Sequence, residues 1–285
     1  MATAPDGFGK EFRLTLLTDD PLLAAAADQA GVNRIGIDLE FLGKTERQAG
    51  LNTRIERHDF DDLARISKAI HRADLFVRVN PIHAGTQAEI ETALELGAQV
   101  LMLPAFRTAE EAGIFSRTIA GRARVQVLVE MAPAAVRIRE ILEVPGIDEV
   151  MIGLNDLRLQ MGVANHFEML ASPLVDMLAA EVHKKGLPLA VGGVGRVDDR
   201  SMPVPTDLVH AQLPRLGATG AWLARVFTDG VPPGWDFTEA IASLRSRLSE
   251  WAAKSPEELE QARAELARHA VDWRRKSSQP RSAMA

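Results

Sequence analysis

Two kinds of segment alternate along this chain. Short runs dense in Val, Ile and Leu have the near-continuous apolar character of strands buried on both faces. They occur at Arg13–Thr18, Arg34–Glu40, Leu75–Asn80, Val100–Pro104, Val125–Glu130, Glu149–Asn155, Leu187–Val191 and Ala221–Phe227. Between them lie longer stretches whose apolar residues recur at helical spacing. These predict helices over Pro21–Ala30, Phe60–Ile70, Thr86–Leu96, Thr108–Ala120, Pro133–Leu142, Phe167–Lys185, Asp207–Leu216 and Phe237–Ala253. Gly97, Gly121 and Gly186 stand where a helix C-cap is expected. Eight strand–helix units predict an α/β fold, a (β/α)8 TIM barrel over residues 12–253. A doubly wound open sheet is the alternative.

A charged helix, Ser255–Lys276, follows within a C-terminal extension of residues 254–285. It suits either a solvated last helix or an arm laid on a second subunit.

Composition narrows the chemistry. The chain has 285 residues, 46% of them hydrophobic, with no Tyr and no Cys. Thiol nucleophiles, disulfides and zinc–thiolate sites are excluded. A net charge of −6 with mixed signs argues against nucleic-acid binding. No run approaches the roughly 18 apolar residues of a membrane span, and the N-terminus lacks the pattern of a signal peptide. A cytoplasmic location is the expectation, with no membrane or nucleic-acid partner.

Barrel enzymes carry their chemistry at the C-terminal strand ends and in the loops beyond. Here the second run ends in Asp38-Leu39-Glu40, the third in Arg78-Val79-Asn80, the fifth in Glu130 and the sixth in Asn155-Asp156. Solvated charges are common at strand ends, so one alone means little. Glu130 and Asp156, at the ends of neighbouring strands about 4.8 Å apart, can reach one cation. Two carboxylates leave open positions on Mg²⁺, Mn²⁺ or Co²⁺ for the oxygens of a 2-oxo acid, whose enolate the metal would stabilise. Arg78 adds a planar donor pair for the same substrate, Asn155 is a further substrate contact, and Glu40 is expected to orient substrate or water. Of the seven lysines, only Lys44 falls in a mouth-side loop, which points away from Schiff-base chemistry.

These segments, with the run Gly97–Pro104 and the stretch Ile152-Gly153-Leu154-Asn155-Asp156-Leu157 followed by Met161-Gly162, resemble the HpcH/HpaI aldolase and citrate lyase β-subunit superfamily. The likeness spans roughly Leu14 to Phe227. It implies a phosphoenolpyruvate/pyruvate-type barrel, a divalent metal on Glu130 and Asp156, and Arg78 on a 2-oxo acid such as pyruvate or oxaloacetate. It also implies a homo-oligomer: a dimer, trimer or hexamer. The expected activity is a metal-dependent carbon–carbon lyase, aldolase or condensing synthase. A CoA-thioester lyase and a ligand-binding barrel without turnover are the rivals.

One position departs from the pattern. Pyruvate-aldolase members carry an acid/base histidine directly after the glutamate matching Glu40; this chain has Phe41. His58 and His83, in loops on the active face, are the candidate acid/base residues, and His71, His166, His183, His210 and His269 read as structural. The long polar stretch Gly43–His58 offers Arg47 and Arg54 for a second anionic group. Gly192-Gly193-Val194-Gly195 reads as a tight turn, and loops there often bind phosphate in barrels.

Overall fold

The computed structural model describes residues 7–43, 58–231 and 234–278. Eight parallel strands close on themselves in chain order. They are β1 Arg13–Leu17, β2 Arg34–Asp38, β3 Asp74–Arg78, β4 Val100–Leu103, β5 Arg124–Val129, β6 Glu149–Ile152, β7 Leu189–Val194 and β8 Gly220–Leu223. Helices cover the outside, so this is the (β/α)8 barrel the alternation predicts, and the open sheet is excluded.

The pleat sorts each strand into two faces. Ile35, Ile37, Val77 and Val127 point outward, fully buried beneath the helices in the main core. The alternate residues point inward and stack in layers. Arg34, Gln126 and Glu149 are buried at the N-terminal end of the interior. Phe76, Met102, Leu128 and Met151 form the apolar middle. Asp38, Arg78 and Glu130 stand above them, Asp38 opposite Arg78 in register. Gly36 belongs to the inward set of β2. A Cβ there would lie 1.6 Å from the Phe76 carbonyl oxygen, so the β2–β3 pairing tolerates no side chain at this place.

Arg34 and Glu149 face each other across the lower interior. Arg34 Nη1 and Nη2 donate to Glu149 Oε2 and Oε1 at 2.7 and 2.5 Å. Arg13 adds a contact at 3.1 Å. Burial would raise the Glu149 carboxyl, but the Arg34 hydrogen bonds and charge reverse this and hold it below its ordinary range.

Several boundaries differ from expectation. β6 stops at Ile152, and Asp156 sits in the first turn of a helix, Leu154–Gln160, instead of on a strand. The apolar run could not show this. Its second half has helical spacing, and an acid in a first turn is favoured by the helix dipole. β7 runs on through Gly192 and Gly193, which read as a turn; an irregularity between Ala190 and Gly193 lets the strand continue. β8 ends at Leu223, and Arg225–Phe227 forms a 3-10 turn. Pro133–Leu142 breaks at Arg137 into Ala132–Val136 and Ile138–Ile141. Phe167–Lys185 divides into His166–Leu170 and Pro173–Lys184, the second capped by Ser172 with proline at its first position.

The last helix, Pro256–Ser278, lies back on its own barrel. Leu259, Ala262, Leu266 and Ala270 are buried beneath it. Arg263 Nη1 donates to Ala171 O at 2.9 Å and Asn165 Nδ2 to Ala270 O at 3.1 Å. Trp273 meets Phe167 edge-on at 5.8 Å. None of the helices of the described residues is long and apolar enough to cross a membrane.

Candidate active site

At the C-terminal ends of the strands the barrel opens into a cavity of about 940 Å³. Its two halves differ in chemistry. Asp38, Glu40, His58, Arg78, Glu130 and Asp156 come from the sector β2 to β6. The sector β7, β8 and β1 contributes mainly hydrocarbon, including Leu23, Met202, Trp222 and Val226.

Arg78 is the pivot of the charged half. Its Nε donates to Asp38 Oδ1 at 2.7 Å and its Nη2 to Asp38 Oδ2 at 2.5 Å, a two-pronged clamp between register-paired residues. Glu40 Oε2 is 3.4 Å from Nη2. Trp222 reaches across the interior and lies 4.8 Å beneath the guanidinium carbon. Burial alone would lower the pKa of Arg78; the charges of Asp38 and Glu40 more than reverse this and keep it protonated. Nη1 makes no hydrogen bond to the described residues, so it is the donor left for a ligand.

Glu130 stands beyond β5, 5% exposed. Its Oε1 accepts the Ala105 N–H at 2.9 Å. Ala105 follows Pro104 and has φ +50°, a backbone strain that aims this N–H at the carboxylate. Burial first, then the nearby charges of Glu40 and Asp156, push the Glu130 carboxyl up to about 8. Four carboxylates, Asp38, Glu40, Glu130 and Asp156, thus line the cavity with the one guanidinium of Arg78, an excess of negative charge. Gly153 makes room for the cluster: a Cβ there would come within 2.8 Å of Glu130 Cβ and 3.0 Å of Oε2.

With this geometry in view, the comparisons with known proteins become specific. The family model for HpcH/HpaI aldolase/citrate lyase matches residues 16–181. The chain belongs to the HpcH/HpaI aldolase/citrate lyase family. No curated protein matches the sequence. Among solved structures, an HpcH/HpaI aldolase from Desulfitobacterium hafniense DCB-2 is 16% identical, with a TM-score of 0.56 over 76% of this chain and 88% of that one. An HpcH/HpaI aldolase/citrate lyase family protein from Burkholderia cenocepacia J2315 is 17% identical, with a TM-score of 0.60 over 84% and 94%. The citrate synthase SbnG is 16% identical, with a TM-score of 0.56 over 76% and 88%. At these identities the likeness is one of fold. The family itself comprises aldolases and lyases of carbon–carbon bonds and is generally dependent on a divalent metal.

The structure brings most of the candidate site residues together. Glu40, Arg78, Glu130, Asn155 and Asp156 all line the one cavity, Asn155 being exposed to it. Phe41, where the resemblance to pyruvate-aldolase members leads one to expect a histidine, is 60% exposed and is not part of the lining. His58 does line it, and its Nδ1 accepts the Asp38 N–H at 2.9 Å, tying the ring to the residue that clamps Arg78. His83 stands outside the lining, with Nδ1 accepting from Gly85 N at 3.1 Å and Nε2 3.4 Å from Glu89. Arg47 and Arg54 lie outside the described residues.

Three lining residues escaped the sequence reading. Asp38 was visible at the end of its run, but its pairing with Arg78 depends on strand register. Trp222 faces inward by the parity of β8, and only closure of the barrel carries it under Arg78. His166, read as structural, lines the cavity from the helix His166–Leu170; burial, with Arg158 adding, pushes its imidazole down to about 4. Its signal was position, in the segment that follows β6 on the active face.

Proposed function

We propose that this chain is a divalent-metal-dependent carbon–carbon lyase, or the corresponding condensing synthase, that works through the enolate of a 2-oxo acid such as pyruvate or oxaloacetate. The gathering of the buried Glu40, Glu130 and Asp156 in one cavity with Arg78 carries this reading. Burial and the like charges of Glu40 and Asp156 both raise the Glu130 carboxyl, a cost that a bound cation would relieve. Among the described residues no group of three or more histidines, aspartates and glutamates is disposed to hold an ion alone. Glu130 and Asp156 would instead supply two oxygens to a catalytic Mg²⁺, Mn²⁺ or Co²⁺ that takes its other ligands from water and substrate. When bound, such an ion withdraws electron density from the ketone oxygen of the oxo acid.

The remaining roles fall to the protein. Arg78, fixed by Asp38, presents Nη1 to the substrate carboxylate or developing enolate oxygen. Glu40 orients the substrate against Arg78. His58 lines the cavity where Phe41 does not and takes its place: with Nδ1 accepting the Asp38 N–H, its Nε2 carries the ring proton and donates to a substrate oxygen. Cleavage and condensation share the enolate, so one set of residues serves both directions.

The test is exchange of the pyruvate methyl protons with D2O, followed by NMR. Exchange with Mg²⁺ or Mn²⁺ that stops on adding EDTA is expected. No exchange with any divalent metal, by folded protein, would refute the proposal.

A further inference from the structure

A three-carbon acid beside Glu130, Asp156 and Arg78 occupies a small part of the cavity. Its volume of about 940 Å³ is of the size that takes a far larger ligand. The unused part lies against β7, β8 and the end of β1. The half-buried side chains that show their surface there are mostly apolar, Leu17, Leu23, Met202, Trp222, Ala224 and Val226, with Thr228 the polar one. Gly193 of β7 is exposed to the same space and contributes no side chain. The charges that line this half lie exposed: Asp19, Asp20 and Asp229 against Arg225, three acids to one base among the described residues.

We infer that the second substrate is an aldehyde bearing a hydrocarbon group of several carbons, seated in this apolar half; the inference rests on the lyase reading above. In cleavage, the C4 hydroxyl of R–CH(OH)–CH2–CO–COO⁻ loses its proton to the enzyme. The C3–C4 electron pair passes to C3 and C4 becomes the aldehyde R–CHO. The enolate then takes a proton at C3 to give pyruvate. Condensation reverses each step. The group R exchanges water for the wall of Leu23, Met202 and Val226. A carboxylate on R would lose its hydration over hydrocarbon and pass three acids on entry.

The test uses the full chain with Mg²⁺ and pyruvate, reading kcat/KM for propanal, butanal and hexanal, and for the charged aldehydes glyoxylate and 4-oxobutanoate. Burial of each methylene should raise kcat/KM about fourfold, so hexanal should exceed propanal on the order of 50-fold. 4-Oxobutanoate should fall below butanal. Two variants locate the effect. A Cβ at Gly193, which lines the cavity, would stand 3.3 Å from Ala224 Cβ and 3.6 Å from the Trp222 carbonyl oxygen, so Ala224 must give by a few tenths of an ångström. Gly193→Val and Met202→Asp should each lower the hexanal-to-propanal ratio by about tenfold or more. Because the ratio is read within one variant, a loss of folded enzyme cancels. If pyruvate exchange proceeds but 4-oxobutanoate is preferred, or chain length makes no difference, the inference is overturned while the lyase reading stands. Without pyruvate exchange, both fall.

Discussion

Asp38→Asn tests how the site holds its arginine. In the parent, Asp38 accepts two charge-assisted hydrogen bonds from Arg78, at 2.7 and 2.5 Å. It is 4% exposed, so water cannot replace a lost bond. The amide keeps one acceptor and turns an NH2 group toward a guanidinium N–H. At least one charge-assisted bond is lost, worth about 1.5–3 kcal/mol. Arg78 is then steered by Glu40, 3.4 Å from Nη2, and by Trp222 alone. If Arg78 acts on the developing enolate, the loss appears in kcat/KM as a fall of about 10–150-fold. The assay is metal-dependent pyruvate proton exchange, with Tm measured alongside so that a folding defect is separated from a positioning defect. A variant within about twofold of the parent, folded and active, would refute the idea that Asp38 sets Arg78 for catalysis.

Two further predictions concern the frame around the site. Glu149→Gln removes the counter-charge of Arg34, which is 3% exposed, and should cost about 3 kcal/mol, lowering Tm by about 6–12 °C at neutral pH. Folding lowers the pKa of Glu149 below 4.5, so its contribution is present above that pH and is lost as pH falls through the depressed folded value. The Tm gap between parent and variant should therefore narrow in acid, and a gap that held or widened would contradict the assignment. Gly153→Ala places a methyl group 2.8 Å from Glu130 Cβ, so the carboxylate must shift. Metal affinity should fall about 10–100-fold while the fold is kept, as circular dichroism and calorimetry would show.

The barrel was legible in the sequence because strands buried on both faces read as unbroken apolar runs, and four of them, the second, third, fifth and sixth, end at or beside charged residues at the functional face. Arg78 and Glu130 could be singled out on that basis. What sequence could not supply is non-local. Register decides that Asp38 faces Arg78, and closure decides that Trp222 of β8 lies beneath a residue of β3. The helix carrying Asp156 looked like strand because Met151 to Leu157 contains both periods. The glycines of β7 looked like a turn, yet the chain passes straight through them; Gly192, with φ +55°, leaves room for Leu154, whose Cδ1 would stand 2.7 Å from a Cβ there. The last helix gave no sign of its partner, since its charged pattern suits solvent or a second chain equally. Its buried face, Leu266 and Ala270, is seated on this barrel.

The proposed function requires Glu130 and Asp156 together to hold a divalent cation beside a 2-oxo acid. Titration of the full chain with Mn²⁺, followed by calorimetry with and without oxalate, addresses it most directly. About one Mn²⁺ per chain is expected, with tighter binding when oxalate supplies two further oxygens and loss of both in Glu130→Gln and Asp156→Asn. Unaltered Mn²⁺ binding in both variants would place the metal elsewhere and contradict the account.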